Sequence, residues 1–331
     1  MNKDNKWKEF LLKSGLPLEY EIKEYLEKSG YFTNFEYTYF RENQENKITE
    51  FSYDIDASFI SPPFYFDLMI ECKYRHSSTK WLFLPEDYHG INEINFTDFF
   101  HFNDHFNKAG QFTNSEYPFE FADLCSKGIE ITSEGQNPKT ITQAISQLSY
   151  AMAEKIINGI YHQTDGVLSK NFNGTIFSNI PVIITTSELY RLNKDVLIED
   201  IKNCNDISEI ATKTNRLIIK NSIGVDLEKY NYSKFKSFEN EIGKAILEVN
   251  LNTFNNDLDF VWSVISKNYS PECFVVLHYS KEDNGLEELL KYIKRFTNPD
   301  EDTKAEIQRI KNDREERTKK FLNRINKSDI S

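Results

Sequence analysis

Hydrophobic and polar positions along the chain fall into blocks of two different periods. In residues 15–30, Leu18, Ile22, Tyr25 and Leu26 recur at helical spacing. Pro17 suits a first helical turn and Gly30 suits a C-terminal stop. Three extended runs follow. Residues 31–41 are aromatic, threonine-rich and alternating. Residues 48–60 alternate as well, with Phe51, Tyr53, Ile55 and Ala57 on one side and Ser52, Asp54 and Asp56 on the other. Residues 64–74 are almost continuously apolar, as in a strand buried on both faces. Short polar links between these runs predict a three-stranded meander.

Beyond them the signal is uneven. Residues 76–138 scatter Trp81, Phe83, Phe96, Phe99, Phe100, Phe102, Phe106, Phe112, Phe119 and Phe121 among polar residues without a steady period. So many aromatics predict an ordered insertion packed on the main body. A second helix is expected over 141–156, where Ile141, Ala144, Ile145, Leu148, Met152 and Ile156 share helical spacing. Residues 181–186 and 273–279 read as buried strands, 188–203 and 286–296 as helices, and 205–270 as a mixture of weak signals. The expected fold is α/β: a mixed sheet flanked by helices, in the order αβββαβ. One domain would occupy residues 1–298, with a charged, helical tail over 299–331.

Composition narrows the class. The 331 residues are 39% hydrophobic and include only 12 Gly and 9 Pro, which excludes a collagen-like or mostly disordered chain. No apolar run is long enough to span a bilayer, and the first residues carry no secretory signal, so no membrane partner is expected. Cys72, Cys125, Cys204 and Cys273 form no metal pair or disulfide framework, which points to a reducing cytoplasm. The net charge of −12 argues against indiscriminate adhesion to nucleic acid. It leaves room for an acidic site that holds a cation against a phosphate. From Lys304 onward the tail is instead basic, and reads as a solvated helix or a phosphate-gripping segment.

One constellation carries chemistry. Strand alternation places Glu71 and Lys73 on the same side of the third run, about 6 to 7 Å apart. A carboxylate and an ammonium are costly on so apolar a strand unless they have partners. A meander would let Asp56 of the second run stand beside Glu71. Two close carboxylates repel unless a cation joins them, and hard oxygen ligands suit Mg²⁺, with Mn²⁺ as a substitute. Such a metal would polarise a phosphodiester and acidify a bound water, with Lys73 near the developing charge. Acid-x-Lys occurs six times in the chain, but only the copy at Glu71 lies within an apolar strand behind an Asp-bearing one. A buried Glu71–Lys73 salt bridge is the competing reading.

The ordered set of a helix with Glu19, a strand with Asp56 and a strand with Glu71-Cys72-Lys73 resembles the PD-(D/E)xK nuclease superfamily, the restriction-endonuclease-like fold. Gly15-Leu16-Pro17-Leu18-Glu19 and Gly30-Tyr31 resemble the first helix of its Mrr-like and Holliday-resolvase-like members. Tyr53-Asp54-Ile55-Asp56 stands where many members carry Glu-Ile-Asp, and Ile70-Glu71-Cys72-Lys73 matches their Glu-Cys-Lys strand. The resemblance spans residues 15 to about 190, interrupted by the insertion. It implies a Mg²⁺-dependent endonuclease acting on DNA, with a role in restriction or defence; a single metal site that cuts both strands favours a homodimer. Asp56, Glu71 and the Cys72 carbonyl would bind the metal, Lys73 would position the attacking water, and Glu19 would approach from the helix. Asp56 is preferred over Asp54 because the family's aspartate closes its triplet. Glu19 also simply complements a helix N-terminus. Gln147, in a polar stripe with Gln143, Tyr150 and Glu154, matches a glutamine of several branches, or else belongs to a solvated face.

Weaker signals remain. His101 and His105 have i, i+4 spacing with no third zinc ligand nearby. Tyr74-Arg75 and Lys80-Trp81 pair cations with aromatics able to touch a nucleic acid. The alternatives to a DNA nuclease are an inactive nuclease-fold module that binds nucleic acid or a protein, and an RNA-directed nuclease.

Overall fold

A computed structural model describes residues 6–42, 48–86, 98–103, 119–171, 174–222, 224–250, 257–268 and 271–328. The chain opens with α1 (Lys6–Lys13) and α2 (Leu16–Lys28), followed by β1 (Phe32–Glu42), β2 (Ile48–Ser61), β3 (Phe64–Lys73) and β4 (Lys80–Pro85). Next come β5 (Phe102–Asn103), β6 (Leu124–Thr132), β7 (Gly135–Asn137) and the long α3 (Lys139–Leu168). Then follow β8 (Ile176–Thr185), β9 (Glu188–Leu192), α4 (Ile198–Asn203), β10 (Ala211–Thr214) and β11 (Arg216–Lys220). The last elements are α5 (Val225–Ile242), α6 (Lys244–Asn250), α7 (Leu258–Asn268), β12 (Cys273–His278), α8 (Gly285–Thr297) and α9 (Glu301–Ser328).

The fold is α/β. The strands join one mixed sheet in the order β1-β2-β3-β8-β12-β11-β6-β4-β9-β10, with β5 added to β8 and β7 to β6. Helices cover both faces. On one, Ile141, Leu148, Met152 and Ile160 of α3 meet Phe235 of α5, Trp262 of α7 and Tyr53, Met69 and Ile183 of the sheet. On the other, Leu18, Ile22 and Leu26 of α2 and Leu286, Leu289 and Ile293 of α8 cover Ile55, Leu68, Ile70 and Val182. The α2 stripe expected from its spacing is therefore the stripe that is buried. Gly15 (φ +85°) and Gly30 (φ +89°) bracket that helix in left-handed backbone that other residues rarely adopt.

The meander forms as its pattern predicts. β1 pairs antiparallel with β2, and β2 with β3. β3 is an inner strand, with β8 parallel along its other edge from Phe64 opposite Ile176 to Lys73 opposite Thr185, and it is buried on both faces because helices cover both sides of the sheet there.

Two expectations need correction. Residues 188–203 are not one helix: β9 pairs parallel with β4 and antiparallel with β10 before the short α4 begins. Two pairing partners outweigh a weak local preference. The 76–138 segment is not an appendage, since β4 and β6 lie inside the sheet between β11 and β9. Trp81, Phe83, Phe99 and Phe100 are thus core residues; Phe96, Phe106 and Phe112 lie outside the described residues. The tail is helical, and i, i+3 and i, i+4 ion pairs line its exposed surface. Among the described residues, no helix is long and apolar enough to cross a membrane.

Gly285 starts α8 against the backbone of the β10–β11 turn. A Cβ there would stand 2.3 Å from the Asn215 carbonyl oxygen, which already accepts the His278 N–H at 2.8 Å. Gly285→Ala is expected to lower stability by about 1–3 kcal/mol, read as a lower urea midpoint with an unchanged slope.

Candidate active site

The site forms where β2 and β3 part. Their ladder runs from Ser61 opposite Phe64 to Ile55 opposite Ile70, and ends one step before Asp54 and Glu71. Across from this point Glu36 of β1 takes a left-handed φ of 57°, between the pairs Phe35–Ile55 and Tyr37–Tyr53. The irregularity switches the faces of β2: Tyr53 packs under α3, whereas Ile55 and Ala57 pack under α2. Simple alternation would have kept all three together. Asp54, at the switch, uses its Oδ2 to accept the Cys72 backbone N–H at 2.6 Å. A side chain thereby stands in for the missing ladder bond.

This brings Asp54, Glu71, Lys73 and Glu19 into mutual electrostatic range. Glu71 is 1% exposed. Its Oε1 accepts a short hydrogen bond from the Lys73 ammonium, while Oε2 is buried without a hydrogen-bond partner. Burial, and then the Asp54 charge, push the Glu71 carboxyl up to about 7 against the pull of Lys73. Glu19 is likewise raised to about 7, by burial and by Asp54. Burial raises Asp54 too, opposed by the Cys72 N–H and Lys73. Glu19 owes its position to the left-handed turn before α2. Its N–H donates to the Gly15 carbonyl at 3.1 Å, and its Oε1 sits 2.9 Å from where a Gly15 Cβ would be. Glu19, Asp54 and Glu36 line a pocket of about 510 Å³ together with Leu16, Tyr20 and Phe35.

Asp56 does not stand beside Glu71. It faces Met69 in the ladder, and its carboxylate receives Lys155 of α3 at 2.9 and 3.0 Å and the Tyr53 hydroxyl at 2.6 Å. Lys155 also bridges to Asp67 at 3.0 Å, whose Oδ1 accepts the Ser58 hydroxyl at 2.6 Å. Burial opposes the Lys155 charge, yet Asp67 and Asp56 outweigh it and raise its pKa. Asp56 is thus paired with a lysine in a second cluster, at a separate pocket of about 730 Å³ that Asp67 and Lys155 also line. The register foretells this outcome: counting back from the hairpin tip places Asp54, not Asp56, across from Glu71. Lys155, one charge between Met152 and Ile156 on the apolar stripe of α3, is the sequence signal for the second cluster.

The remaining candidates divide. Gln147 faces the sheet rather than solvent, its side-chain amide donating to the Ser52 carbonyl at 3.0 Å and its backbone carbonyl accepting the Tyr39 hydroxyl at 2.9 Å. It braces β1 and β2 beside the acids, and Glu71 is felt at Tyr39. The Cys72 side chain turns into the α2-side core, so only its carbonyl remains as a donor. Arg75 and Trp81 are not free to meet a ligand, because both donate to Glu130, at 2.5 and 3.0 Å. His101 is half-buried against the Cys273 carbonyl, and His105 lies outside the described residues.

Among the described residues, no three His, Cys, Asp or Glu side chains are close enough to form a ready-made metal cage. Glu71 nonetheless keeps one unpartnered buried carboxylate oxygen, with Asp54 of the adjacent strand and Glu19 of α2 in electrostatic range. The chain matches no known family model, no characterised protein and no solved structure.

Two outcomes are expected. The raised carboxyls bind protons that a metal must displace, so Mn²⁺ affinity should rise as pH increases through about 7; calorimetry at a series of pH values reads this directly. Without metal, the same two groups hold more protons folded than unfolded, so their contribution to stability is present below pH 4.5 and lost as pH rises through about 7. Separately, Lys155→Met leaves Asp56 and Asp67 facing each other uncompensated. It should cost about 3–5 kcal/mol in denaturant unfolding.

Proposed function

We propose that the protein is a divalent-metal-dependent nuclease that hydrolyses DNA phosphodiester bonds, with Asp54, Glu71, Lys73 and Glu19 as its catalytic set. In this reading α2, β1 to β3, α3 and β8 form a restriction-endonuclease-like core, and Asp54 takes the part the sequence resemblance gave to Asp56. The observation that carries it is the parting of β2 and β3 around Asp54 and Glu71. It leaves a buried carboxylate oxygen unpartnered and a lysine two residues away.

Each residue then has a task. Asp54 and Glu71 would hold Mg²⁺ or Mn²⁺, with the Cys72 carbonyl as a further donor; the ion supplies charge neutralisation at the phosphate and a more acidic water. Lys73 would keep its ammonium against Glu71 until substrate arrives, then orient the attacking water and offset the developing phosphate charge. Glu19, raised to about 7, would accept or return a proton near neutrality. Gln147 acts as a positioning residue by tying Ser52 to α3.

A second reading keeps the fold and drops the chemistry: an inactive module that binds nucleic acid or protein. It is favoured by the acidic net charge and by the absence of a ready-made cage among the described residues. One experiment separates the two. With Mg²⁺ or Mn²⁺, the wild type should cut plasmid or oligonucleotide DNA, and a matched RNA reports an RNA-directed enzyme. Asp54→Asn and Lys73→Met should each lower the rate on the order of 100-fold, whereas Asp56→Asn should retain the metal-dependent cut and lose stability. Cleavage unchanged in both Asp54→Asn and Lys73→Met would end the nuclease proposal.

A further inference from the structure

The pocket beside the acids mixes two chemistries. Glu19, Glu36 and Asp54 line it together with Leu16, Tyr20 and Phe35. Tyr20 of α2 is 60% exposed and Phe35 of β1 47% exposed. Exposed rings grouped at a pocket that also holds carboxylates mark a candidate ligand surface. Lys23 sits over the Phe35 ring at 5.4 Å and is held there by Glu27.

The charges near the opening are equally informative. Lys73 is matched by Glu71 and Lys23 by Glu27, so neither offers an uncompensated cation. A duplex is gripped by neutralising several phosphates of its backbone, and this opening, on a chain of net charge −12, is poorly equipped for that. Unpaired bases present flat apolar faces to aromatic side chains, each stack contributing about 1–3 kcal/mol. A carboxylate group that takes a divalent cation complements one phosphate, and two rings beside it complement the bases on either side.

Building on the nuclease reading, we propose that the strand this site seats is single-stranded DNA, its bases flanking the scissile phosphate stacked on Tyr20 and Phe35. A paired helix keeps its base faces covered and cannot use these rings.

The test measures binding apart from cleavage. A labelled mixed-sequence oligonucleotide, alone or annealed to its complement, is titrated by fluorescence anisotropy with Ca²⁺ in place of Mg²⁺, and a gel verifies that the probe stays intact. The wild type should bind the single strand at least about 5-fold more tightly than the duplex, and Tyr20→Ala and Phe35→Ala should each weaken single-strand binding about 5- to 150-fold. Tyr20→Phe should restore it, and duplex binding should not move. Both positions are exposed, and circular dichroism confirms that the variants fold. A duplex bound as tightly as the single strand, variants with undiminished affinity, or a preference for RNA over DNA would overturn the proposal. The two readings fail separately: strand preference without cleavage in Mg²⁺ or Mn²⁺ defeats the nuclease assignment, and cleavage without strand preference defeats the stacking assignment.

Discussion

The site depends on one hydrogen bond that replaces another. Where the β2–β3 ladder would continue, the Cys72 N–H goes to the Asp54 side chain. This lets the strands diverge without leaving a buried donor unsatisfied, which would otherwise cost about 1–3 kcal/mol. The switch of β2's faces there turns Asp54 toward α2, while Asp56, opposite Met69 in the regular ladder, stays on the α3 side. A continuous hairpin would have set both aspartates on one side. Remove the divergence and there is a sheet but no pocket.

Two charged groups on neighbouring strands are thus compensated to different degrees. Asp56 and Asp67 share Lys155 and close a structural cluster in which each carboxylate has a cation and a hydroxyl donor. Asp54, Glu71 and Glu19 share only Lys73, and their carboxyls are held above the ordinary range. Proximity in sequence says little here. What distinguishes the groups is how many acids share one lysine: two around Lys155, three around Lys73 where β2 and β3 separate.

Much of the architecture was legible because its periods are clean. The stripe Leu18, Ile22 and Leu26, the alternation of β2 and the continuous apolar run of β3 each dictate one element. The pair Glu71 and Lys73 stood out because charges on a doubly buried strand need a reason. Counting from the hairpin tip would have put Asp54 rather than Asp56 across from Glu71, whereas no local residue pattern announces the switch of β2's faces beside the left-handed Glu36. Residues 188–192 misled because their helical look yields to pairing on both edges. The aromatics of 76–138 lack a period because they serve different layers: Trp81 and Phe83 lie under α3, Phe99 and Phe100 under α8.

The wall behind β3 has a consequence for how the molecule matures. Asp54, Glu71 and Lys73 belong to a hairpin that closes through near neighbours, yet β8 reaches β3 only across a long detour, with the Thr185 hydroxyl bonding the Lys73 carbonyl 112 positions away. Nearby contacts form readily and distant ones wait on loop closure. A nascent chain therefore owns the acids well before it owns the partition that keeps them dry, and the capacity to perturb their protons arrives late, with the closing of the sheet.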